Sequence, residues 1–261
     1  MSWRLINFQR YSASENMAID EAILRETIKN NKLPTIRFYG WRPPAVSIGY
    51  FQDIKKEVNI EKCRSTGIDI VRRPSGGKAV FHCDEITYSV VASDILGTYK
   101  IISRCLARGL SFLGIDVQLA EAGRPLSDAD FKSFCFSVPS RNELLVSGRK
   151  ICGSAQMRVC GGFLQHGSIL INFNPAETAS FLLPPRNGRE LEKLRNSVTA
   201  INEEVPSPID EKDICANLKK GFTDILGIEM TEGKLTPPEE ALRNGLISKY
   251  SADPRNLSGK K

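Results

Sequence analysis

Two short runs that combine glycines with basic residues constrain this chain more than any other feature. The first covers residues 72–82 (RRPSGGKAVFH) and the second covers residues 148–156 (GRKICGSAQ). The chain's two histidines are His82, which ends the first run, and His166, which follows the second. Glycine has no Cβ, so a ligand can lie against the backbone of either run. Arginines and exposed N–H groups bind carbonyl, carboxylate or phosphate oxygens. The sequence therefore predicts turns between strands that line a binding site.

Each run also has a simpler interpretation. The first run lacks both the GxxxxGK[ST] and the GxGxxG patterns of nucleotide-binding loops, and taken alone it also fits a basic β-turn. Lys150 starts a predicted strand, so it is either a surface charge or a side chain that points into a pocket and loses its hydration. Taken alone, His166 is better explained as a structural histidine.

Composition indicates a globular protein. A chain of 261 residues with 41% apolar and 25% charged residues can bury a large core, as one large domain or two ordinary ones. No stretch approaches the roughly 20 apolar residues of a membrane span, and the first residues lack the apolar region of a secretory signal. The chain has seven cysteines and no CxxC pair, which argues against a disulfide framework or a zinc site. We expect a cytoplasmic protein with no membrane partner.

The net charge of +6, from 36 basic and 30 acidic residues, is modest. It fits an acidic protein partner, a nucleic acid, or a solvated surface without a specific partner. The sequence contains no basic cluster interleaved with aromatic residues and no nucleic-acid-binding motif. We therefore expect no nucleic-acid partner.

Hydrophobic periodicity predicts helices and paired strands. Helices are predicted from a Ser14 cap to before Pro34 and over residues 54–65, 98–113, 209–226 and 238–246. Strands are predicted over residues 35–39, 45–49, 68–72, 86–92, 116–120, 143–146, 150–154 and 168–172. Because strands occur in pairs as well as in alternation with helices, the fold class is α+β, with mixed and antiparallel sheets flanked by helices. We expect one catalytic domain over residues 1–250 and a disordered tail over residues 251–261.

One of the seven cysteines stands apart from the others. Cys105 and Cys215 lie on apolar faces of predicted helices and Cys152 within a strand, which indicates packing. Cys63 also lies in a predicted helix, whereas Cys83 and Cys160 are candidates for exposure. Cys135 lies between two phenylalanines in an irregular segment. A thiol becomes reactive when a nearby cation lowers its pKa, and Lys150 is a candidate for that cation. Simple burial is the alternative for Cys135.

Taken together, the runs resemble the biotin/lipoate protein ligase catalytic domain superfamily. More narrowly, they resemble the octanoyl-[acyl carrier protein]:protein N-octanoyltransferases of the LipM type. The resemblance covers the chain from about Trp3 to about Tyr250. It is carried by residues 16–22 (NMAIDEA), 37–41 (RFYGW), 47–52 (SIGYFQ), 72–77 (RRPSGG), 148–150 (GRK), 153–156 (GSAQ) and 165–168 (QHGS).

Three features favour the transferase within that superfamily. Lipoate ligases usually carry a third glycine where Lys78 stands, and they tend to need an accessory domain, for which little beyond residues 231–261 remains. A second octanoyltransferase type places its cysteine after the histidine, yet residues 170–214 contain none. The LipM type has a Cys-Phe-x-x-Pro-Ser pattern, which residues 135–140 (CFSVPS) match. The GRGRxGRxW signature of biotin ligases is missing.

The resemblance implies a two-step transfer with Cys135 and Lys150 as catalytic residues. Cys135 takes octanoyl from an acyl carrier protein, and the acceptor is a lysine of a lipoyl domain or of the glycine cleavage H protein. No cofactor is implied, neither ATP nor a metal, because a thioester is already activated. We expect a monomer. The implied substrate-binding residues are Arg72, Arg73, Ser75, Gly76, Gly77, His82, Gly153, Ser154 and His166.

Three other functions remain open at the level of sequence. The chain is alternatively an ATP-dependent lipoate–protein ligase, or an amidotransferase that moves the acyl group from the H protein to lipoyl domains. The third alternative is a binding module without catalysis. The sequence does not fix the donor, the preferred acceptor, the acyl-chain length or whether Lys150 acts as a base.

Overall fold

The computed structural model of the protein describes residues 2–30, 32–93, 98–120, 142–183 and 187–251. The strands are β1 (Ser2–Tyr11), β2 (Thr35–Trp41), β3 (Ala45–Ile48), β4 (Asp69–Arg72), β5 (Val80–His82), β6 (Glu85–Ala92), β7 (Gln118–Leu119), β8 (Leu144–Val146), β9 (Arg149–Val159), β10 (Gly162–Leu170) and β11 (Glu229–Glu232). The helices are α1 (Ala13–Asn30), α2 (Ile54–Glu57), α3 (Ile60–Thr66), α4 (Thr98–Ser111), α5 (Pro175–Phe181), α6 (Gly188–Ser197), α7 (Ile201–Glu204), α8 (Glu211–Leu226) and α9 (Pro237–Ser251).

Two sheets organise the described residues. The larger has the strand order β11-β1-β2-β6-β10-β9-β8-β7, and the smaller has the order β4-β3-β5. Strand β1 is parallel to β11 and β2, and β3 is parallel to β4, whereas every other pairing is antiparallel. Helices pack against these sheets and enclose the apolar side chains. The predicted α+β class with mixed sheets is confirmed.

Helices α4 and α8 pack closely because glycines stand where they cross. A Cβ added to Gly109 of α4 would lie 2.7 Å from the Cα of Leu218, and one added to Gly221 of α8 would lie 2.3 Å from the carbonyl oxygen of Cys105. Only the absence of a side chain allows this approach. The pair covers the apolar side of the larger sheet, where Leu106 and Phe222 are fully buried.

Helix α1 is largely buried, and its start differs from the prediction. The helix begins at Ala13, so the cap is Ser12 rather than Ser14. The Ser12 hydroxyl accepts a hydrogen bond from the Glu15 N–H at 3.4 Å, and the Ser12 N–H donates to the Glu15 carboxylate at 3.1 Å. This reciprocal arrangement is a capping box, and it satisfies donors that the Ser14 assignment left open.

Several other predicted bounds need correction. The single helix predicted over residues 54–65 is two helices, because the Asn59 side chain accepts from Lys62 N and starts a new helix. The two strands predicted over residues 150–154 and 168–172 are the ends of the longer pair β9 and β10, which places His166 inside a strand. Strand β1 was not predicted, although Trp3 and Leu5 alternate with less buried residues.

Helix α9 extends to Ser251, so the first residue of the expected tail is helical. The tail after it, residues 252–261, lies outside the described residues, as do residues 121–141, which include Cys135. Within the described ranges, no helix is both long and apolar enough to cross a membrane.

Candidate active site

The predicted turn after β4 is a loop that joins the two outer strands of the smaller sheet. This glycine-rich loop, residues 73–79, is held by the guanidinium of Arg73, which is only 6% exposed. Arg73 Nη2 donates to the carbonyl oxygens of Gly76 at 3.0 Å and Lys78 at 2.9 Å, and Nη1 donates to the carbonyl of Ser47 at 3.0 Å. Arg73 therefore closes the loop on itself and fastens it to β3.

A turn from β3 packs directly against this loop. A Cβ added to Gly49 would lie 1.9 Å from the carbonyl oxygen of Gly77, so no other residue fits at position 49. The Tyr50 N–H donates to the carbonyl of Ser75 at 2.9 Å. Gly77 itself has φ 96°, a left-handed conformation that favours glycine. The SIGYFQ and RRPSGG runs therefore form one structural unit.

Arg72 supports that turn. Its Nη1 donates to the carbonyl oxygens of Gly49 at 2.9 Å, Tyr50 at 2.8 Å and Gln52 at 2.8 Å. The predicted arginine pair is therefore divided between two tasks, with Arg72 on the turn and Arg73 on the loop.

His82 lies between a hydroxyl and a carboxylate. Its Nε2 is 2.6 Å from Ser47 Oγ, and its Nδ1 is 2.8 Å from Glu85 Oε1. The indole of Trp41 stacks on the imidazole with centroids 4.1 Å apart. Burial by itself raises the pKa of the Glu85 carboxyl, but His82 and the hydroxyls that donate to it bring that pKa below its ordinary value. Glu85 is therefore ionised at neutral pH.

His166 has a similar environment on the other side of the loop. Its Nε2 is 2.6 Å from the hydroxyl of Ser75, which belongs to the glycine-rich loop, and its Nδ1 is 3.7 Å from Asp20 Oδ2. Burial lowers the pKa of His166, although Asp20 opposes this. His166 is therefore predominantly neutral at physiological pH, when it can accept a hydrogen bond from Ser75.

A small cavity lies between the loop and the β9–β10 hairpin. Its volume is about 40 Å³, room for a few water molecules at most. The predicted site residues that line it are Arg73, His82, Gly153, Ser154 and His166. Apolar side chains, among them Met17 and Val80, complete the walls. The cavity thus brings both predicted runs and both histidines together.

Lys150 is fully buried, at 0% exposure. Its ammonium donates to Glu143 Oε1 at 2.8 Å, and Glu143 is 4% exposed. Strand β9 starts after a turn in which Ser147 has φ 49° and Gly148 φ 79°, as in the tight turns of hairpins. This turn sends Lys150 into the interior, and the alternative of a surface charge is wrong.

Cys135 lies outside the described residues, but the points where its segment leaves and rejoins the structure are described. The Ala120 N–H donates to the Glu143 carbonyl at 2.8 Å, and the Asn142 N–H donates to the Ala120 carbonyl at 2.9 Å. Ala120 and Asn142, which flank residues 121–141, are therefore neighbours, and both lie beside Glu143, the carboxylate partner of Lys150.

Five of the six cysteines within the described ranges have environments that disfavour thiolates. Burial raises the pKa of Cys63 to about 11 and those of Cys105, Cys152 and Cys215 to about 12. Burial and nearby carboxylates also raise the pKa of Cys83. The prediction that Cys152 packs in the interior is confirmed, because it is 0% exposed. A nucleophilic thiol needs a lowered pKa, so none of these five is a good candidate.

The sequence analysis did not identify the buried residues that contact the side chains of His82, Lys150 and His166. These are Asp20, Ser47, Glu85 and Glu143, each at most 4% exposed. Asp20 and Ser47 lie inside the quoted NMAIDEA and SIGYFQ runs, which was the available signal. Within the described ranges, no group of three or more histidine, cysteine or acidic side chains is arranged to hold a metal ion.

Comparison with solved structures defines the class of protein. The fold matches a crystal structure of lipoate-protein ligase A bound with ATP, with a TM-score of 0.83, 27% identity and 100% of both chains covered. It also matches a bipartite lipoate protein ligase from Thermoplasma acidophilum, with a TM-score of 0.84, 25% identity and coverage of 100% of this chain and 98% of that one. The fold is thus that of lipoate ligase catalytic domains.

The chain belongs to the lipoyl protein ligase A/B catalytic domain family, whose model matches residues 12–223. Among curated proteins, it is 38% identical over 270 residues to octanoyltransferase LipM of Kyrpidia tusciae. It is 36% identical over 271 residues to octanoyltransferase LipM of Bacillus subtilis. Each alignment covers 98% of both chains.

Proposed function

We propose that this protein is an octanoyltransferase that moves octanoyl from a carrier thioester to the lysine of an acceptor protein in protein lipoylation. The observation that carries the proposal is the near-complete alignment with proteins named octanoyltransferase LipM, at 36% and 38% identity. The cavity and the buried lysine fit this chemistry, because acyl transfer needs a confined site and a fixed positive charge.

Cys135 is the proposed nucleophile. In the first step its thiolate attacks the thioester carbonyl, an acyl–sulfur bond to Cys135 forms, and the carrier thiol leaves with a proton. In the second step the lysine amine of the acceptor attacks that thioester, an amide forms, and the Cys135 thiol is released. Support comes from the CFSVPS run and from the position of Ala120 and Asn142 beside Glu143.

Lys150 is the proposed electrostatic partner of the thiolate and of the oxyanion that develops on the carbonyl. In the second step the proton of the attacking amine passes to the departing Cys135 sulfur, while the fixed ammonium stabilises the charges that develop. Glu143 shares the ammonium at 2.8 Å, so Lys150 stays fixed in the interior while these charges form and disappear.

The substrate-binding role is assigned to the residues around the cavity. Arg73, His82, Gly153, Ser154 and His166 line it, whereas Ser75, Gly76 and Gly77 supply the loop above it. Arg72 acts on the same loop through the turn that it braces.

Acyl carrier protein is the proposed donor, and lipoyl domains or the glycine cleavage H protein are the proposed acceptors. A net charge of +6 suits acidic partners. A thioester is already activated, so the proposed reaction uses neither ATP nor a metal. The proposed location is the cytoplasm, where these carriers are made.

The test is mass spectrometry of the intact protein after incubation with octanoyl-acyl carrier protein, with and without ATP. We expect one octanoyl adduct that is cleaved by hydroxylamine, that forms equally well without ATP, and that disappears when a lipoyl domain is added. Absence of the adduct, together with absence of octanoyl on the lipoyl domain, would end the proposal.

A lipoate–protein ligase is the second candidate, and the match to a ligase structure with bound ATP favours it. A ligase exchanges pyrophosphate with ATP in the presence of lipoate and forms no thiol adduct. An amidotransferase also forms the thiol adduct. It is separated by the donor, because it accepts octanoyl from the octanoylated H protein in preference to the acyl carrier protein.

A further inference from the structure

A continuous chain of hydrogen bonds connects the glycine-rich loop to a buried carboxylate. Arg73 Nη1 is 2.7 Å from Ser47 Oγ, Ser47 Oγ is 2.6 Å from His82 Nε2, and His82 Nδ1 is 2.8 Å from Glu85 Oε1. All four side chains are buried, with exposures from 0% to 6%. The two-step reaction proposed above uses no proton transfer along these four side chains, so a structural role is considered for them.

Chemistry fixes the direction of the first of these hydrogen bonds. A guanidinium has only donors, so the Ser47 oxygen accepts from Arg73. The imidazole of His82 bonds on both of its edges, to Ser47 Oγ through Nε2 and to Glu85 Oε1 through Nδ1. A guanidinium and a carboxylate thus lie at the two ends of the series, joined through a hydroxyl and an imidazole.

The carboxylate end of the chain is fixed from several sides. Glu85 Oε1 accepts from the Trp41 indole at 3.1 Å and from the hydroxyls of Thr87 at 2.5 Å and Ser168 at 2.7 Å, besides His82. The Trp41 ring also covers the imidazole face, with an interplanar angle of 17°. Neither Glu85 nor His82 can rotate without breaking several buried contacts, each costly to lose.

The arginine end of the chain meets the loop. The same guanidinium that contacts Ser47 holds the carbonyls of Gly76 and Lys78 through Nη2. Its planar donors are rigidly related, so fixing Nη1 also fixes Nη2. Because Arg73 holds two loop carbonyls and also contacts Ser47, the residues that fix Arg73 also fix the conformation of the loop.

We propose that Ser47, His82 and Glu85 are positioning residues that act through Arg73 to hold the glycine-rich loop in its substrate-binding conformation. His82 on this assignment orients the loop and is not an acid or base in the reaction. The expected effect on the octanoyl-transfer rate rests on the proposed function. The loop conformation can be measured without substrate.

A double-variant cycle between Ser47 and Glu85 tests the proposal. In this series of hydrogen bonds, the Ser47 and Glu85 side chains are linked through His82. Ser47→Ala removes the central hydroxyl. Glu85→Gln keeps the volume and replaces the charged acceptor by a weaker neutral one. The readouts are the octanoyl-transfer rate and the hydrogen exchange of the Tyr50 and Arg73 amides, which bond to Ser75 and Ile48 carbonyls.

We expect each single variant to raise amide exchange and lower the transfer rate by about tenfold or more. The double variant should lose no more transfer rate and gain no more amide exchange than the more damaging single variant. Either substitution alone already interrupts the series of hydrogen bonds, so the second adds nothing. Ser47→Thr, which keeps the hydroxyl, should return both readouts towards those of the unaltered protein. Losses that multiply in the double variant, or unchanged exchange in Ser47→Ala, would overturn the proposal.

Ser103→Ala is the matched control. Ser103 is also fully buried, and its hydroxyl has no hydrogen-bond partner in the part of the chain that the structure describes. This control should leave both readouts and the melting temperature unchanged. If the unaltered protein transfers no octanoyl, the proposed function fails, and the exchange cycle still decides whether the chain of hydrogen bonds holds the loop.

Discussion

Lys150 and Glu143 form an ion pair in the interior, with the ammonium 2.8 Å from the carboxylate oxygen. The two residues lie on β9 and just before β8, which are hydrogen-bonded neighbours in the larger sheet. Removing two charges from water costs several kcal/mol per ion, and an ion pair recovers part of this cost only when its geometry is good. A stabilising role alone does not explain such a pair, since well-packed apolar residues do as well. The proposed catalytic role of Lys150 would give the protein a reason to keep this pair.

The first prediction separates the chemistry of Lys150 from its structural role. Lys150→Met leaves Glu143 buried without this partner and should destabilise the protein by about 3–5 kcal/mol. Adding Glu143→Gln removes the carboxylate charge that Lys150 balances in the unaltered protein and should restore most of that stability. We expect both variants to lose transfer activity by orders of magnitude. Measured stability and single-turnover rates check this, and a loss below about tenfold, or roughly 1.4 kcal/mol in barrier, in the double variant would contradict the assignment.

The second prediction concerns Cys135. Cys135→Ser should abolish octanoyl transfer and the hydroxylamine-sensitive adduct, because an alcohol is a far weaker nucleophile than a thiolate near neutral pH. Intact-mass measurement after incubation with octanoyl-acyl carrier protein checks both losses. Cys160→Ser is the control, since Cys160 is exposed in the turn between β9 and β10. An adduct that persists in Cys135→Ser would assign the nucleophile elsewhere.

The third prediction concerns the dependence of stability on pH. Burial by itself raises the pKa of the Asp20 carboxyl, but Arg37 and His166 bring it below its ordinary value of 3.8. A carboxyl with a lowered pKa in the folded state stabilises the protein above its ordinary pKa, and this contribution is lost as the pH falls through the lowered value. Asp20→Asn should therefore cost about 3–5 kcal/mol at neutral pH, and its difference from the unaltered protein should shrink in acid below pH 3.8.

Urea unfolding at neutral pH and in acid measures this difference. Asp224→Asn is the matched control, because Asp224 pairs with Arg108 at the surface, where its side chain is 48% exposed. Surface pairs contribute about 0–1 kcal/mol, so little change is expected. A cost of Asp20→Asn that stays constant with pH would show that Asp20 does not carry the stabilising charge.

The fourth prediction uses the contact between Gly49 and Gly77. Gly49→Ala places a methyl group 1.9 Å from the Gly77 carbonyl, so the turn or the loop must shift. We expect a large loss of transfer activity. Gly245→Ala, in α9 where nothing lies within 4 Å of an added Cβ, should instead be neutral or stabilise by about 1 kcal/mol. Activity and melting temperature of the two variants check the comparison, and equal activity would exclude a role for this close approach.

The sequence was informative where local chemistry determines structure. The β8–β9 turn at Gly148 and the α4 helix follow from glycine conformation and apolar periodicity, and both are confirmed. The depth of Lys150 was not predictable in this way, because it depends on Glu143 and on a strand partner that folds against it. The same holds for His82, whose side-chain hydrogen-bond partners come from β3, β6 and β10.

Longer-range pairing explains the remaining misses. Strand β1 pairs with β11, which is more than 200 residues away in the chain, so no local pattern announces it. The start of α1 was misplaced by two residues because Ser12 and Ser14 are both good capping residues, and only Glu15 distinguishes them. The cavity combines residues from five strands, one helix and the glycine-rich loop, a combination that no spacing rule anticipates.

The hydrogen bonds between Ala120, Asn142 and Glu143 also determine how the segment between positions 120 and 142 can be exchanged. Because Ala120 and Asn142 are joined by a backbone hydrogen bond, the stretch between them can be exchanged for one of another length without changing the register of β7, β8 and β9. We expect chimeras that carry the corresponding stretch of another family member between positions 120 and 142 to fold, so that the proposed role of this stretch can be compared on one constant scaffold.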